Sequence, residues 1–265
     1  MNTAATESLL TPSYDVPNGQ DPTEWQTRVE LAACYRMIDY YGWTSQVYNH
    51  ITARIPGTDQ LLINPFGLRY DEITASNLVK IDIDGNKLDK SPYPVNRAGY
   101  VIHSAIHAVR HDLQCTLHTH SPSAEALSCL DVGFIPMTQT GCMFYERVGY
   151  HDYCGIALDE EERQSLIADM GTENHTLVLR NHGVLIGAPN IAWALTRLFH
   201  FENASATQLK VMASGGTITR LSHEVMSRTR QQFEGGDSQA GALVQLPEWP
   251  AALRLLDKRD PTWRT

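Results

Sequence analysis

The sequence predicts an α/β protein, a three-layer α/β/α sandwich with a mixed, mostly antiparallel central sheet. Two observations support this fold class. Short apolar stretches with strand-like composition lie at about 51–53, 61–63, 79–83, 113–117, 176–180 and 184–186. Longer stretches with apolar residues at helical spacing lie between and after them, so that helices can cover both faces of the sheet.

Helices are predicted where capping residues precede such helical spacing. The first helix follows an N-terminal arm that is rich in Thr, Ser, Pro and Asn, and Thr23 is its expected cap. Asp159-Glu160-Glu161-Glu162 indicates the acidic first turn of another helix, and Asn190 is the expected cap of a long one. The predicted helices extend over about 22–42, 98–109, from 159 onward, and 190–213.

The strands and the domain limits follow from turns and composition. Pro56-Gly57-Thr58-Asp59 and Asp84-Gly85 are hairpin turns, and the second leads into a short strand at 87–88. A polar connection from 215 to 242 separates the main part of the chain from a tail packed through Trp249 and Trp263. The predicted units are a flexible arm over 1–21, one α/β domain over 22–216, and a C-terminal linker with a packed tail over 217–265.

Composition restricts the class of protein. With 265 residues and 42% hydrophobic content, the chain can bury a full core, most simply as one domain. The net charge of −9 argues against nucleic acid or an anionic membrane surface as the main partner. The five cysteines are odd in number and have no C-x-x-C spacing, which indicates reduced thiols. No apolar run is long enough to cross a bilayer and no signal pattern starts the chain, so a cytoplasmic location is expected.

Three histidines form the candidate site. Leu117-His118-Thr119-His120-Ser121 ends a predicted strand, in which residues two apart point to the same side. His182 follows a second strand, and if the two strand ends lie side by side, three imidazoles converge and leave one coordination position open. The chain contains 11 histidines, so structural histidines are the alternative. The position at strand ends favours a metal site, although His151 competes with His182 as the third ligand.

The order and spacing of several motifs resemble the class II aldolase/adducin family from about Glu24 to Gly216. The resemblance implies the class II aldolase-like fold, a divalent metal held by His118, His120 and His182, and a homotetramer whose sites lie at subunit boundaries. In that family the metal, usually zinc, polarises a substrate carbonyl or enediolate; Fe(II) and Mn(II) are the alternatives here. A neighbouring chain could add Arg254 or Trp263 to the site. The matching stretches are Tyr48-Asn49-His50-Ile51-Thr52-Ala53-Arg54, Leu62-Ile63-Asn64-Pro65-Phe66-Gly67, Glu72-Ile73-Thr74-Ala75-Ser76, His118-Thr119-His120, Tyr150-His151-Asp152-Tyr153 and Arg180-Asn181-His182-Gly183.

The chain departs from the sugar-phosphate aldolases of this family at two places. The position of their catalytic glutamate falls on Gly99, and their paired phosphate-binding serines correspond to Arg97 and Ala98, although Asn49 and Gly67 match the phosphate pattern. The loss of a positioned general base costs about 10²–10⁴ in rate. The chain is therefore not expected to be a straightforward sugar-phosphate aldolase. Glycine at this position resembles the adducin-like branch, which includes cytoskeletal proteins without known catalysis, bacterial aromatic-acid decarboxylases and non-haem iron oxygenases.

Other side chains are candidates for the chemistry. Arg97 is a candidate to hold a substrate carboxylate, and its alternative is an exposed salt bridge. Tyr145 or Tyr150 is a candidate to deliver a proton to a carbanion, and Glu125 to replace the missing acid. The alternative for the two tyrosines is packing with local hydrogen bonds. The alternative for Glu125 is a solvated position on a helix.

These observations predict a metal-dependent carbon–carbon lyase, either a decarboxylase or a retro-aldol enzyme. Its expected substrate is a small oxo- or hydroxy-acid, and aromatic acids are among the candidates. One rival is an Fe(II) oxygenase that performs oxidative decarboxylation at the same three histidines. The other rival is a non-catalytic, adducin-like interaction module. The substrate, the metal and the oligomer size stay open at this stage.

Overall fold

The structure, a computed structural model, describes residues 14–155, 160–235 and 247–265. Its centre is a sheet of seven strands in the order β3-β2-β1-β4-β7-β6-β5. All neighbouring strands are antiparallel except β5 and β6, which are parallel, so the predicted mixed, mostly antiparallel sheet is confirmed. The strands are β1 His50–Arg54, β2 Leu61–Ile63, β3 Val79–Ile81, β4 Cys115–Thr119, β5 Val148–His151, β6 Thr176–Leu179 and β7 Gly183–Ala188.

Helices lie on both faces of this sheet. In the described ranges they are α1 Pro22–Tyr40, α2 Arg97–Val109, α3 Pro122–Ser128, α4 Glu160–Met170, α5 Ile191–Ala213, α6 His223–Phe233 and α7 Glu248–Arg259, with short 3₁₀ turns at Tyr70–Glu72, Gly141–Phe144 and Pro261–Arg264. None of the described helices combines the length and apolar character that a bilayer crossing requires.

The alternation of side chains along the strands creates two apolar layers. Val178 and Val184 point into the larger core, which they share with α1, α3 and α5. Leu177 and Leu185 point the other way and pack against Ile106 of α2 and other apolar residues of α2 and α4. The three-layer sandwich predicted from the sequence is therefore confirmed.

Some local predictions differ from the structure. The cap of α1 is Asp21, not Thr23, because the Asp21 carboxylate accepts the backbone N–H of Glu24 at 2.9 Å. The predicted strand at 87–88 is reduced to a single bridge between Ile81 and Lys87.

The predicted N-terminal arm lies partly outside the described residues, as does Asp159 of the predicted acidic turn. Within the arm, Tyr14 donates to Glu30, and Asp15 accepts from the Trp25 indole, so this part is attached to α1. In the tail, Trp263 is fully buried in the core of its own chain. It is therefore not available to a neighbouring subunit in this arrangement.

Candidate metal centre

The three predicted histidines converge at one end of the sheet. The nearest ring nitrogens of His118, His120 and His182 all lie within 4.8 Å of one another. The Nε2 atoms of His118 and His120 are 3.0 Å apart, and the three ring centroids are separated by 4.8–4.9 Å. We call this group the triad.

Strand pairing positions the triad. His118 lies in β4, and His120 is the first residue after it. The start of β7 pairs with the end of β4, where Thr119 is opposite Val184, and a hairpin of three residues connects β6 to β7. Asn181 in that hairpin has a φ of 56°, a left-handed conformation that asparagine tolerates, and the next residue is His182.

Gly183 allows the two strand ends to approach. A Cβ at this position would lie 2.6 Å from the Thr119 carbonyl oxygen and 3.2 Å from the His120 ring. Any side chain here would separate β7 from β4 and move His182 away from the other two histidines. The RNHG motif therefore supplies both a ligand and the glycine that brings it close.

Buried polar contacts hold the segments that carry His120 and His182. The Glu202 carboxylate, 5% exposed, accepts from the Ser121 hydroxyl at 2.7 Å. It also accepts the N–H groups of Ser123 and Ala124 at 2.8 Å, where α3 begins. Ser128, at the end of α3, accepts the His182 backbone N–H at 3.2 Å. The short helix α3 thus connects both sides of the triad to α5.

The triad is electrostatically suited to a divalent cation. Burial places the pKa of His118 well below its usual range and lowers the pKa of His182 to about 4, so both rings are neutral at physiological pH. The Val184 carbonyl accepts from His118 Nδ1 at 3.1 Å, which leaves the Nε2 lone pair facing the triad. Tetrahedral zinc separates its nitrogen ligands by about 3.3 Å, given Zn–N distances of about 2.0–2.1 Å. The observed separations bracket this value, so the residues fit such an ion.

A small pocket adjoins the triad along His182. It is narrow, with room for about one water molecule, and its lining includes His151, Tyr153, Glu162, Leu166, Arg180 and His182. Arg180 stacks over the Tyr150 ring at 4.8 Å and lies 3.4 Å from the exposed carboxylate of Asp152. Its guanidinium is the cationic group of the pocket lining.

His151 presents a free ring nitrogen in the same pocket. Its Nδ1 donates to the Asp169 carboxylate at 2.8 Å, which fixes the hydrogen on Nδ1. Its buried Nε2 has no hydrogen-bond partner among the described residues, and the nearest carboxylate, Glu162, is 3.7 Å away. His151 is therefore not a third ligand of the triad but a histidine–carboxylate pair beside it.

His50 fills the space next to Gly99. Pairing of β1 with β4 places His50 opposite His118, and their ring centroids are 5.0 Å apart. A Cβ on Gly99 would lie 2.4 Å from His50 Cδ2 and 2.8 Å from His50 Nε2. The glycine and the buried imidazole are thus complementary, and a glutamate at 99 would displace His50.

The structure does not bring the two candidate tyrosines to the triad. Tyr145 precedes β5, at the end of that strand opposite His151, and its hydroxyl is 2.7 Å from His223 Nδ1. The Tyr150 hydroxyl accepts the Phe134 N–H at 2.9 Å, so it is occupied by the backbone. Glu125 on α3 does lie close enough to His120 to act against the burial that lowers the pKa of that histidine.

The predicted substrate-binding residues are only partly brought together. The buried Asn49 donates to Thr119 Oγ1 at 3.1 Å and to the Trp43 carbonyl at 3.2 Å, so its amide nitrogen supports the end of β4. Gly67 lies in a loop with a φ of 102° and has open space around it. Arg97 begins α2, and its side chain lies outside the described part of the structure.

Comparison with known proteins places the chain in a family. It is 42% identical to an aldolase II superfamily protein from Pseudomonas syringae, whose crystal structure superposes with a TM-score of 0.84 over 93% of this chain and 98% of that one. It is 25% identical to the L-fuculose 1-phosphate aldolase from Glaciozyma antarctica, with a TM-score of 0.80 over 98% of this chain and 99% of that one. It is 34% identical to rat α-adducin over 94% of this chain, which corresponds to 36% of the adducin.

The predicted family is confirmed by the match of its profile. Residues 29–209 match the Class II Aldolase and Adducin N-terminal domain, and the relatives above carry both names. The chain belongs to the class II aldolase and adducin family.

Proposed function

We propose that this protein is a divalent-metal-dependent carbon–carbon lyase that decarboxylates, or cleaves by a retro-aldol reaction, a small oxo- or hydroxy-acid, aromatic acids included. The observation that supports this most is the convergence of three neutral imidazoles beside a pocket that contains Arg180. Three protein ligands with an open position are typical of catalytic rather than structural metal sites.

Each residue has a role that follows from its position. His118, His120 and His182 would hold the metal, which supplies a Lewis acid to polarise a carbonyl and accept developing negative charge. Arg180 would orient the substrate carboxylate, since a guanidinium pairs with carboxylates through two hydrogen bonds. His151, oriented by Asp169, offers a nitrogen lone pair in the same pocket and is our candidate for proton transfer.

The proposal excludes the sugar-phosphate aldolase reaction for a structural reason. The position of the family glutamate is Gly99, and His50 occupies the space in which that side chain would start. Decarboxylation needs a site that accepts negative charge more than it needs a carboxylate base, so it fits the residues that are present.

The first experiment is elemental analysis of protein purified without added metal. We expect about one zinc, iron or manganese per chain, lost in His118→Ala and in His182→Ala because two imidazoles hold a divalent ion weakly. His111→Ala, at an exposed histidine, is the control and should retain the metal. Absence of stoichiometric metal after anaerobic reconstitution with each ion would contradict the enzyme proposal. Three neutral ligands do not determine metal identity, so the metal that is found helps to choose between the candidate reactions. Iron would favour the oxygenase.

The second experiment identifies the reaction. Aromatic and aliphatic oxo- and hydroxy-acids are incubated with the metal-loaded protein, and released carbon dioxide and consumed oxygen are measured together. Carbon dioxide without oxygen uptake supports a decarboxylase, and stoichiometric oxygen uptake supports the oxygenase. With an active acid, Arg180→Gln should raise KM about tenfold or more because a charged hydrogen bond is lost, whereas the exposed Arg220→Gln should not. An unchanged KM in Arg180→Gln would remove Arg180 from the site.

A non-catalytic interaction module is the second candidate. The observation in its favour is the 34% identity to rat α-adducin across 94% of this chain. It predicts that the metal, if bound, supports no turnover of any acid. We also propose the homotetramer that the family resemblance implies, and sedimentation should then give four times the chain mass of 29.6 kDa.

A further inference from the structure

A pocket lies at the end of the sheet opposite the triad, beside the residues that flank β6 and β7. His175 directly precedes β6 and Pro189 directly follows β7, and both line the pocket. At about 3.4 Å per residue along β7, roughly 20 Å separate this end of the sheet from His182. The pocket has a volume of about 220 Å³. The rest of its lining consists of the apolar Met143, Trp193 and Phe233 together with Arg197 and Glu234.

Arg197 of α5 is a half-buried cation without a carboxylate partner. Its Nη1 donates to the Gly187 carbonyl, and the guanidinium carbon lies 5.9 Å from the centre of the Trp193 ring. In the described part of the chain no carboxylate forms an ion pair with Arg197, and no acceptor binds its Nε or Nη2. Arg54 Nε and Arg230 Nε are unpaired and sealed in the interior, whereas Nε and Nη2 of Arg197 are not sealed. Because Arg197 lines the pocket, these two atoms are available to a molecule in it.

Two neighbouring arginines show what this edge of a guanidinium binds. Arg110 donates from Nε and Nη2 to the two oxygens of the Asp112 carboxylate, at 2.8 and 2.7 Å. Arg147 donates from the same two atoms to the Glu234 carboxylate, at 2.7 and 3.4 Å. Nε and Nη2 form one planar edge, which matches the two oxygens of a carboxylate. Arg197 presents the same edge, and no carboxylate of the described chain pairs with it.

The surroundings of Arg197 carry an excess of positive charge. Burial lowers the pKa of Arg197 to about 10; the two neighbouring arginines act in the same direction, and their carboxylate partners act against it. His175 is neutral, because burial and the nearby arginines place its pKa well below its usual range. The three guanidinium groups and two carboxylates therefore leave one positive charge without a counter-ion. Removing a charge from water is unfavourable unless the charge is paired, so a bound anion is favoured here.

We propose that this pocket is a second binding site, separate from the triad, for a small monocarboxylate with an apolar, ring-sized body. The carboxylate pairs with the Nε–Nη2 edge of Arg197, and the apolar body packs against Trp193 and Phe233. The size fits, since a cavity of about 150 Å³ is enough to bind benzene. A monoanion fits better than a dianion, because one positive charge is available and Glu234 borders the pocket. The site uses no residue of the triad, so it does not rest on the proposed function.

Calorimetric titration of metal-free protein with benzoate in a chloride buffer tests the proposal, because the triad then holds no metal that attracts acids. We expect one benzoate per chain, and at least about tenfold weaker binding of benzamide, which has the same shape without the charge. Arg197→Gln should weaken benzoate binding about tenfold or more, because it removes a pair of charge-assisted hydrogen bonds. The controls are the exposed Arg220→Gln and, in the pocket beside the triad, Arg180→Gln; both should leave the affinity unchanged.

Glu234→Gln is the second variant, and it decides the question if Arg197→Gln does not fold. It removes the negative charge that borders the pocket and releases Arg147, so benzoate should bind about threefold more tightly or better. A benzoate dissociation constant above about 10 mM would overturn the proposal, as would equal binding of benzamide. Unchanged affinity in a folded variant of either kind would also overturn it. Tighter binding of phenyl phosphate than of benzoate would contradict the assignment to monocarboxylates.

Discussion

At the scale of single residues, Gly99 and His50 are complementary in shape. The glycine lies inside α2, where an alanine would normally stabilise the helix by about 1 kcal/mol. The absent side chain provides the space that the His50 ring occupies, next to His118. A side chain at position 99 and the buried ring of His50 would therefore compete for the same space.

Gly99→Ala tests this complementarity. The new Cβ would meet the His50 ring at 2.4 Å, and the buried ring cannot move freely. Overpacking costs about 1–3 kcal/mol, so despite its helix propensity alanine should lower the free energy of unfolding by roughly 1–2 kcal/mol. Urea denaturation measures this. Gly216→Ala, whose nearest contact would be the exposed Ser214 hydroxyl at 3.3 Å, should change stability by less than about 0.5 kcal/mol. Equal effects of the two changes would contradict the assigned packing.

The predictability of the site residues depended on how local their signal is. His118 and His120 follow from the period of one strand, and His182 follows from the end of a second strand and from the family motifs. His50 and His151 lie inside quoted motifs, yet their roles depend on the β1–β4 register and on a contact with Asp169 that is 18 residues away along the chain. No local pattern contains that information. Tyr145 and Tyr150 are candidates because of their chemistry alone. In the structure the Tyr145 hydroxyl contacts His223 and the Tyr150 hydroxyl accepts the Phe134 N–H.

At the scale of elements, the seven-residue helix α3 connects the triad to the rest of the fold. It is too short to be stable alone, so its stability depends on its contacts. The buried Glu202 satisfies two N–H groups at the start of α3 together with the Ser121 hydroxyl, next to His120. A negative charge at a helix N-terminus also interacts favourably with the helix dipole.

Glu202→Gln should destabilise the protein by about 1.5–3 kcal/mol. The amide NH₂ group replaces one acceptor oxygen, so at least one buried donor at the start of α3 loses its partner. Because Ser121 follows His120, metal affinity should fall as well. Thermal unfolding and metal titration measure the two effects. The control is Glu173→Gln, at an exposed glutamate, which should have neither effect. Loss of stability without loss of metal affinity would show that α3 does not position His120.

Elements were predictable where a run of strand-like or helix-like spacing is bounded by turn or capping residues. The long amphipathic helices and the hairpin strands of the first half of the sheet were recovered, with shifts of a few residues. The sequence does not predict strand β5, because the strand is four residues long and only Val148 and Tyr150 are residues that favour strands. Its parallel pairing with β6 stabilises it in the structure. Helix α6 lies in the segment that the sequence predicts to be a polar connection, and none of its residues is buried in the structure. Its composition is polar, with Val225, Met226 and Phe233 as its only apolar residues.

At the scale of the whole molecule, the fold buries more than half of its 11 histidines. Six are at most 5% exposed: His50, His103, His107, His118, His151 and His175. His151 is paired with the Asp169 carboxylate. The other five are not paired with a carboxylate in the described hydrogen bonds, so each of these five is held in its neutral form and the folded state resists its protonation.

Stability should therefore decrease as the pH falls below about 6.5. Burial lowers the pKa of His107 from 6.5 to about 3, so between these values the unfolded chain takes up a proton that the folded chain does not. The free energy of unfolding then falls by up to about 1.4 kcal/mol per pH unit for each such histidine. Carboxylates with a lowered pKa, such as Asp112 beside Arg110, stabilise the folded state, and this stabilisation is lost only as the pH falls below their usual pKa of 3.8. They therefore do not change the stability between pH 7 and 5.

Urea denaturation of metal-free protein at pH 7, 6 and 5 measures this dependence. His107→Gln should reduce the slope between pH 6 and 5 by about 1.4 kcal/mol per pH unit, whereas His111→Gln, at an exposed position, should leave it unchanged. A stability that stays constant from pH 7 to 5 would mean that the interior accommodates charged imidazoles. In that case the low-dielectric environment that keeps the triad neutral for a metal would be absent.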